Sequence, residues 1–235
     1  AASIVDARCD RTYPPGTIGV VSADLARYTS FAMSLCGVKY PYGTTLSWQR
    51  GCDIVNSCNT LVRDMQGDWL WFMGDDHVFD TNVLVRLLSH MYDDGCDMVA
   101  PLVLGRQPPF PTVMGMFDES AKAIRTVLMQ DCHGLMKVDV VGSAGLLVRR
   151  RVFDVVGEPW FEAGSILRTG LGEDWHWCMK ARQAGFSLYV DCDVAMGHTT
   201  SMTIWPNAPG TTEAGARLDL DAGHHVPIRH ERNTT

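Results

Sequence analysis

Five apolar residues stand together at Trp69–Met73, and Gly74-Asp75-Asp76-His77 follows them directly. The run shows no alternation of apolar and polar positions, so a strand built from it is covered on both faces. That requirement selects the interior of a parallel α/β sheet and excludes a half-exposed sheet. Loops that leave the carboxyl ends of such strands are where open α/β sheets hold ligands. Asp75, Asp76 and His77 fall in that loop, as oxygen and nitrogen donors suited to a divalent cation. An acidic turn capping the next helix satisfies the same residues, and the two readings stand side by side.

The flanking chain supplies the rest of an α/β layout. Thr17–Ser22 is β-branched and reads as a first strand, with a helix over Leu25–Leu35. A second strand is expected within Lys39–Trp48, and Ile54, Val55, Leu61, Val62 and Met65 mark a helix between Cys52 and Met65. Val83, Leu84, Leu87, Leu88 and Met91 recur at helical spacing, with Asp80 or Thr81 as N-cap. Asp97–Leu104 is the next strand. Thr112–His133 is a less regular excursion. Short strands at Val138–Val141 and Leu146–Val148 flank Gly142-Ser143-Ala144-Gly145, small enough for close backbone approach to a ligand or for a plain tight turn. Gly172-Glu173-Asp174 opens a helix stopped by Gly185, and Phe186–Val190 is a strand with Gly197-His198 beyond it. This alternation predicts one domain over residues 1–204, a mostly parallel sheet flanked by helices. From residue 205 to 235 no periodicity persists, which suggests a tail or lid.

Bulk properties narrow the function. A length of 235 residues with 46% apolar and 20% charged residues suits a globular fold with a sizeable core. A formal charge of −7 disfavours nucleic acid as a partner but leaves room for one small anion. No stretch reaches the roughly 18 apolar residues of a membrane span, and the first residues lack the apolar core of a signal peptide. The eight cysteines show no C-x-x-C pairing, and Cys36, Cys58, Cys96 and Cys178 lie in apolar or helical patterns. They read as buried thiols of a reducing compartment, and a cytoplasmic location is expected.

Several other side chains are candidates. Asp24, Arg27 and Tyr28 could meet a base or ribose, with a helix N-cap as the alternative for Asp24. Ser22 ends the first strand beside them. Asn56, Asn59 and Arg63 share the polar face of the second helix. Arg106 and Arg149 could offer charge to phosphate or lie on the surface. Glu173 and Asp174 either serve chemistry or stabilise a helix N-terminus. Trp175, Trp177 and Trp205 could stack on a sugar; Trp175 fits the core as well, and Trp205 a lid.

Taken in order, DWLWFMGDDHVF, VDVVGSAGLLVRRRVF, GEDWHWCMKARQAGFSLYVD and the later GH resemble the GT-A-fold glycosyltransferases, most of all the family-2-like group. The resemblance spans about residues 17–200. It implies a metal-dependent transfer of sugar from a nucleotide-sugar, a UDP-sugar favoured, to an acceptor hydroxyl, with Mn²⁺ or Mg²⁺ bound through an Asp-x-Asp motif. In that motif the first position falls on Gly74, Asp75 takes the middle and Asp76 the last, the usual metal ligand. A second register reads Asp75-Asp76-His77 as Asp-x-His and adds His77. His198 matches a glycine-histidine element completing the metal site. Asp174, with Glu173, matches the acceptor-side pair whose aspartate is general base in inverting members. Ser22, Asp24 and Asn59 join Asp75 and Asp76 on the nucleotide side, and Cys58-Asn59 stands where relatives often have Arg-Asn. The alternatives are an inactive nucleotide- or glycan-binding relative, kept open by Gly74, and a sugar-phosphate nucleotidyltransferase. The acceptor (protein, glycan or small molecule), the stereochemistry and any oligomer stay open.

Overall fold

The computed structural model describes residues 13–22, 28–51, 53–163, 167, 169–200, 202–206, 216–220 and 225–227, the last three segments as strands only. Asp24 and Arg27 lie outside the described residues.

Chain order gives β1 (Thr17–Ser22), α1 (Thr29–Gly37), β2 (Thr45–Arg50), α2 (Ile54–Asp64), β3 (Trp69–Gly74), β4 (His77–Val78), α3 (Val83–Tyr92) and β5 (Met98–Val103). After these come β6 (Met114–Asp118), β7 (Ala123–Thr126), β8 (Leu135–Val138), β9 (Val140–Val141), β10 (Leu147–Arg149), α4 (Arg150–Val156), α5 (Glu173–Gln183) and β11 (Leu188–His198). The main sheet has eight strands in the order β2-β1-β3-β10-β5-β11-β4, with β8 also paired to β11. β1, β2, β3, β5 and β11 run one way; β10, β4 and β8 run against them. The sheet is therefore mixed and mostly parallel, and helices cover both faces.

β3 is central because its side chains alternate between two cores. Leu70 and Phe72 enter the one built with α2, α4 and α5, while Trp69, Trp71 and Met73 enter the one built with α1 and α3. Each fully buried side chain of this size contributes about 1.5–3 kcal/mol. The indole N–H groups are satisfied as well: Trp69 Nε1 donates to Pro14 O and Trp71 Nε1 to Gly145 O, both at 2.9 Å. Gly145, at φ +75°, lets its turn close on β3, and a Cβ there would meet Pro101 Cγ at 2.7 Å.

Several expectations change. The first helix begins at Thr29 rather than Leu25. Asp80 and Thr81 do not cap α3: the N-cap is Asn82, and Asp80 Oδ1 instead accepts from Asn82 N at 2.8 Å in a local turn. The excursion at 112–133 contains a β6–β7 hairpin joined to β9. Residues beyond 200 include a three-stranded antiparallel sheet of β12 (Met202–Pro206), β13 (Ala216–Leu220) and β14 (His225–Pro227). The expected boundary at 204/205 falls inside β12, where Trp205 lies. Of the cysteines, Cys58, Cys96 and Cys178 are buried, but Cys36 is exposed; all of those described are free thiols.

Candidate functional site

A cavity of about 770 Å³ opens at the carboxyl ends of β1, β3 and β5, within the size range of small-molecule sites. Its lining includes Gly74, Asp75, Asp76, His77, Arg106 and His198, and also Gly142, Ser143, Ala144, Glu173, Asp174 and Trp175. The two groups arrive by different routes.

His77 begins β4, and β4 pairs antiparallel with the far end of β11, which puts His198 opposite His77. β11 reaches that point by an irregularity between Asp191 and Ala195, where its register on β5 shifts. The imidazoles stack at 4.4 Å with 27° between their planes. Asp76 Oδ1 lies 2.9 Å from His77 Nδ1, and Asp76 Oδ2 lies 3.4 Å from His198 Nε2. Ligand atoms from Asp76, His77 and His198 all sit within 4.8 Å of one another. The backbone locks the group, since Thr199 N donates to Asp76 O at 2.7 Å. Burial alone would raise the Asp76 carboxyl, but contact with His198 and His77 outweighs it and holds the carboxyl well below the usual carboxylate range.

His198 Nδ1 is 3.0 Å from Leu104 O, a pure acceptor, so Nδ1 carries a proton and donates it. In the neutral ring Nε2 then turns a lone pair toward the carboxylate, an arrangement that asks for a proton or a cation between them. His77 is buried, and neither ring nitrogen makes a hydrogen bond; its approach to Asp76 is close but off the bonding direction. A buried imidazole left this way is costly unless another group completes it. These residues fit a divalent cation. A Cβ at Gly74 would stand 2.9 Å from Asp76 Oδ1 and 3.2 Å from His77 Nδ1, so a side chain there would crowd the two groups as they stand.

Asp75 points elsewhere. It is buried and accepts from Ser22 Oγ at 2.7 Å, so Ser22 acts on the cavity through Asp75.

Also lining the cavity, Asp174 sits in the first turn of α5, where Trp175 N donates to its Oδ1 at 2.7 Å. Burial, then the neighbouring Glu173 charge, push its carboxyl up to about 6, partly offset by backbone N–H groups including that of Ser143. Gly142 packs beside it: a Cβ at that position would lie in ordinary contact, 3.6 Å from Asp174 Oδ2. The small-residue turn thus lines the cavity and supports Asp174 together. Cys58 lies nearby as an inert thiol: burial, with the charges of Glu173 and Asp174, pushes it strongly up.

Other candidates are engaged away from the cavity. Asn59 spends its amide on Phe161, donating through Nδ2 to the carbonyl at 2.9 Å and accepting at Oδ1 from N at 3.0 Å. It is a buried clamp between α2 and the segment after α4. Arg149 packs over the Tyr92 ring and donates to Cys96 O, far from the cation cluster in the sheet. Arg63 pairs with Glu158. Trp177 is fully buried against Phe153 and Phe161, so it is core and cannot stack on a sugar. Trp175 lines the cavity while packing on that core. Arg106, by contrast, is at the site, donating from Nη1 to Asp76 Oδ2 at 2.9 Å.

Residues 46–154 match a family model described as Glycosyl transferase family 2. Among solved structures, A197 from STIV shares 13% identity over 92% of this chain and 98% of its own, with a TM-score of 0.55. GalNAc-T7, crystallised with UDP, GalNAc and Mn²⁺, shares 12% identity over 77% of this chain and 43% of its own, with a TM-score of 0.54. S. aureus TarS 1–349 in complex with UDP-GlcNAc shares 11% identity over 79% of this chain and 59% of its own, with a TM-score of 0.50. The chain thus spans less than half of the GalNAc-T7 chain and about three fifths of the TarS chain. No curated protein matches. Identities this low speak for the fold alone, and the fold agrees with the family match that runs from β2 into α4. The chain has a GT-A fold, in which residues 46–154 resemble glycosyltransferase family 2.

Proposed function

We propose that the chain is a metal-dependent glycosyltransferase that moves a sugar from a UDP-sugar to an acceptor hydroxyl. The observation that carries this is the convergence of Asp76, His77 and His198 at a cavity that Asp174 also lines. One carboxylate with two imidazoles suits Mn²⁺ better than Mg²⁺, which prefers oxygen ligands throughout. Asp76, His77 and His198 would hold the ion, and its chemistry is to stabilise negative charge developing on the departing diphosphate. Asp75, steadied by Ser22, is assigned to the ribose hydroxyls.

Asp174 is assigned as general base. It takes the acceptor hydroxyl proton while the acceptor oxygen bonds the anomeric carbon and the bond from that carbon to the diphosphate oxygen breaks. The nucleoside diphosphate leaves with that electron pair. A carboxyl raised to about 6 supports the role, since a base works best with a pKa near the working pH. Direct displacement of this kind inverts the anomeric centre, and anomer-resolved NMR of the product reads the outcome. Among the described residues no helix is long and apolar enough to cross a membrane.

The test is a thermal-shift panel of UDP-, GDP-, CMP- and dTDP-sugars with and without Mn²⁺, since a ligand of the native state raises Tm. A UDP-sugar with Mn²⁺ is expected to give the largest rise, and Asp76→Ala to remove its metal-dependent part. A rise that survives in Asp76→Ala would refute the assigned site.

A further inference from the structure

Four carboxylates line the cavity: Asp75, Asp76, Glu173 and Asp174. Arg106 is the sole guanidinium or ammonium lining it among the described residues. A nucleoside diphosphate entering such a space meets repulsion that a single divalent cation offsets only in part. Arg106 does not wait in solvent for that anion. Its Nη1 sits 2.9 Å from Asp76 Oδ2, the same oxygen that lies 3.4 Å from His198 Nε2. The guanidinium therefore occupies one of the ligand positions of the cation cluster.

The loop around Arg106 has a fixed stem and a half-exposed side chain. Leu104 bridges Thr112, Gly105 N donates to Pro111 O at 2.8 Å, and Phe110 N donates to Gln107 O at 2.7 Å. The Leu104 carbonyl of this stem also orients His198. The Arg106 side chain remains 41% exposed, whereas that of Asp76 is only 13% exposed. A swing of Arg106 off Asp76 thus needs no backbone change.

We propose that Arg106 is an exchangeable counter-ion. It neutralises Asp76 in the metal-free protein, yields that oxygen to the incoming cation, and then pairs with the diphosphate bound by the same cation. Two like charges cannot share Asp76 Oδ2, so cation entry drives Arg106 away. The fork of N–H groups released at the cavity rim matches phosphate oxygens in a bidentate way. Arg106 consequently opposes binding of the cation alone and favours binding of the nucleoside diphosphate with it. This assignment rests on the metal–nucleotide reading of the cavity.

Calorimetric titration of the full chain separates the two effects. Mn²⁺ alone is titrated first, then UDP at saturating Mn²⁺, into wild type, Arg106→Ala and Arg106→Lys. Arg106→Ala is expected to bind Mn²⁺ alone about tenfold tighter and UDP about tenfold more weakly, the scale of a charged hydrogen bond lost or relieved. Arg106→Lys falls between, because the ammonium keeps the charge and loses the fork. Changes in the same direction, or none, in Arg106→Ala overturn the proposal while leaving the cavity reading intact. If wild type binds neither Mn²⁺ nor UDP with Mn²⁺, the cavity reading itself fails and the Arg106 assignment falls with it. Should Arg106→Ala not fold, Arg106→Lys decides: unchanged UDP affinity in that variant overturns the proposal.

Discussion

Asp174 is the residue on which the acid–base part of the account turns, and its environment gives two separable consequences. Because the carboxyl is raised to about 6 in the folded chain, the base is lost as pH falls through that value. The pH profile of kcat should therefore show an acid limb near 6. The same shift sets a stability term of definite sign. A raised carboxyl stabilises the fold below the ordinary carboxylate range, and that contribution is lost as pH rises through about 6. Ionised Asp174 thus costs stability at neutral pH. Asp174→Asn is expected to abolish transfer while raising stability by on the order of 1–3 kcal/mol at pH 8, read by urea unfolding. Asn59 gives the contrasting case. Its amide is saturated by Phe161, so Asn59→Ala should cost about 1–3 kcal/mol of stability. UDP affinity in the folded variant should be unchanged, and a large loss there would restore Asn59 to the nucleotide side.

Among the elements, β3 decides how much the rest can vary. Trp71 is fully buried, packs edge-on against Phe79, and ties β3 to the Gly142–Gly145 turn through its indole N–H. Trp71→Ala should cost about 3–5 kcal/mol in denaturant unfolding, among the larger single effects in a core. The strand was legible from sequence because a run covered on both faces leaves an unbroken apolar signature. Helix α3 was legible for the related reason that its inward stripe is periodic. β10 was not legible as a reversed strand, since a short apolar segment carries no direction. The sequence pattern supports a strand only over Phe186–Val190, whereas β11 runs on to His198. In the fold Asp191 is buried and answered by Arg86 and His90, both from α3, so a buried carboxylate sits inside the strand. Strands β12–β14 escaped for want of periodicity in a segment rich in Pro, Gly, Thr and His.

At the scale of the whole molecule, the site is a product of strand register. Asp75, Asp76 and His77 announce themselves locally, as do Glu173 and Asp174, because each group is contiguous in sequence. That His198 stands opposite His77 depends on β4 pairing with the end of β11, and no local pattern encodes such a pairing. The resemblance of motifs suggested His198; the register gives the physical reason. Arg106 was legible only as one of two arginines, and its loop stem distinguishes it from Arg149. The mixed sheet brings the strand ends and the start of α5 to one cavity of about 770 Å³, so that the groups proposed to hold the cation and to act as base share one space. The central claim is that a cation held by Asp76, His77 and His198 supports departure of the diphosphate there. It is tested most directly by following UDP release from UDP-sugars after chelation and graded return of Mn²⁺, in wild type and Asp76→Asn. Release that vanishes with chelator, returns with Mn²⁺ and is absent at every Mn²⁺ concentration in Asp76→Asn is the expected result. Release that persists undiminished in chelator, or in Asp76→Asn, would contradict the account.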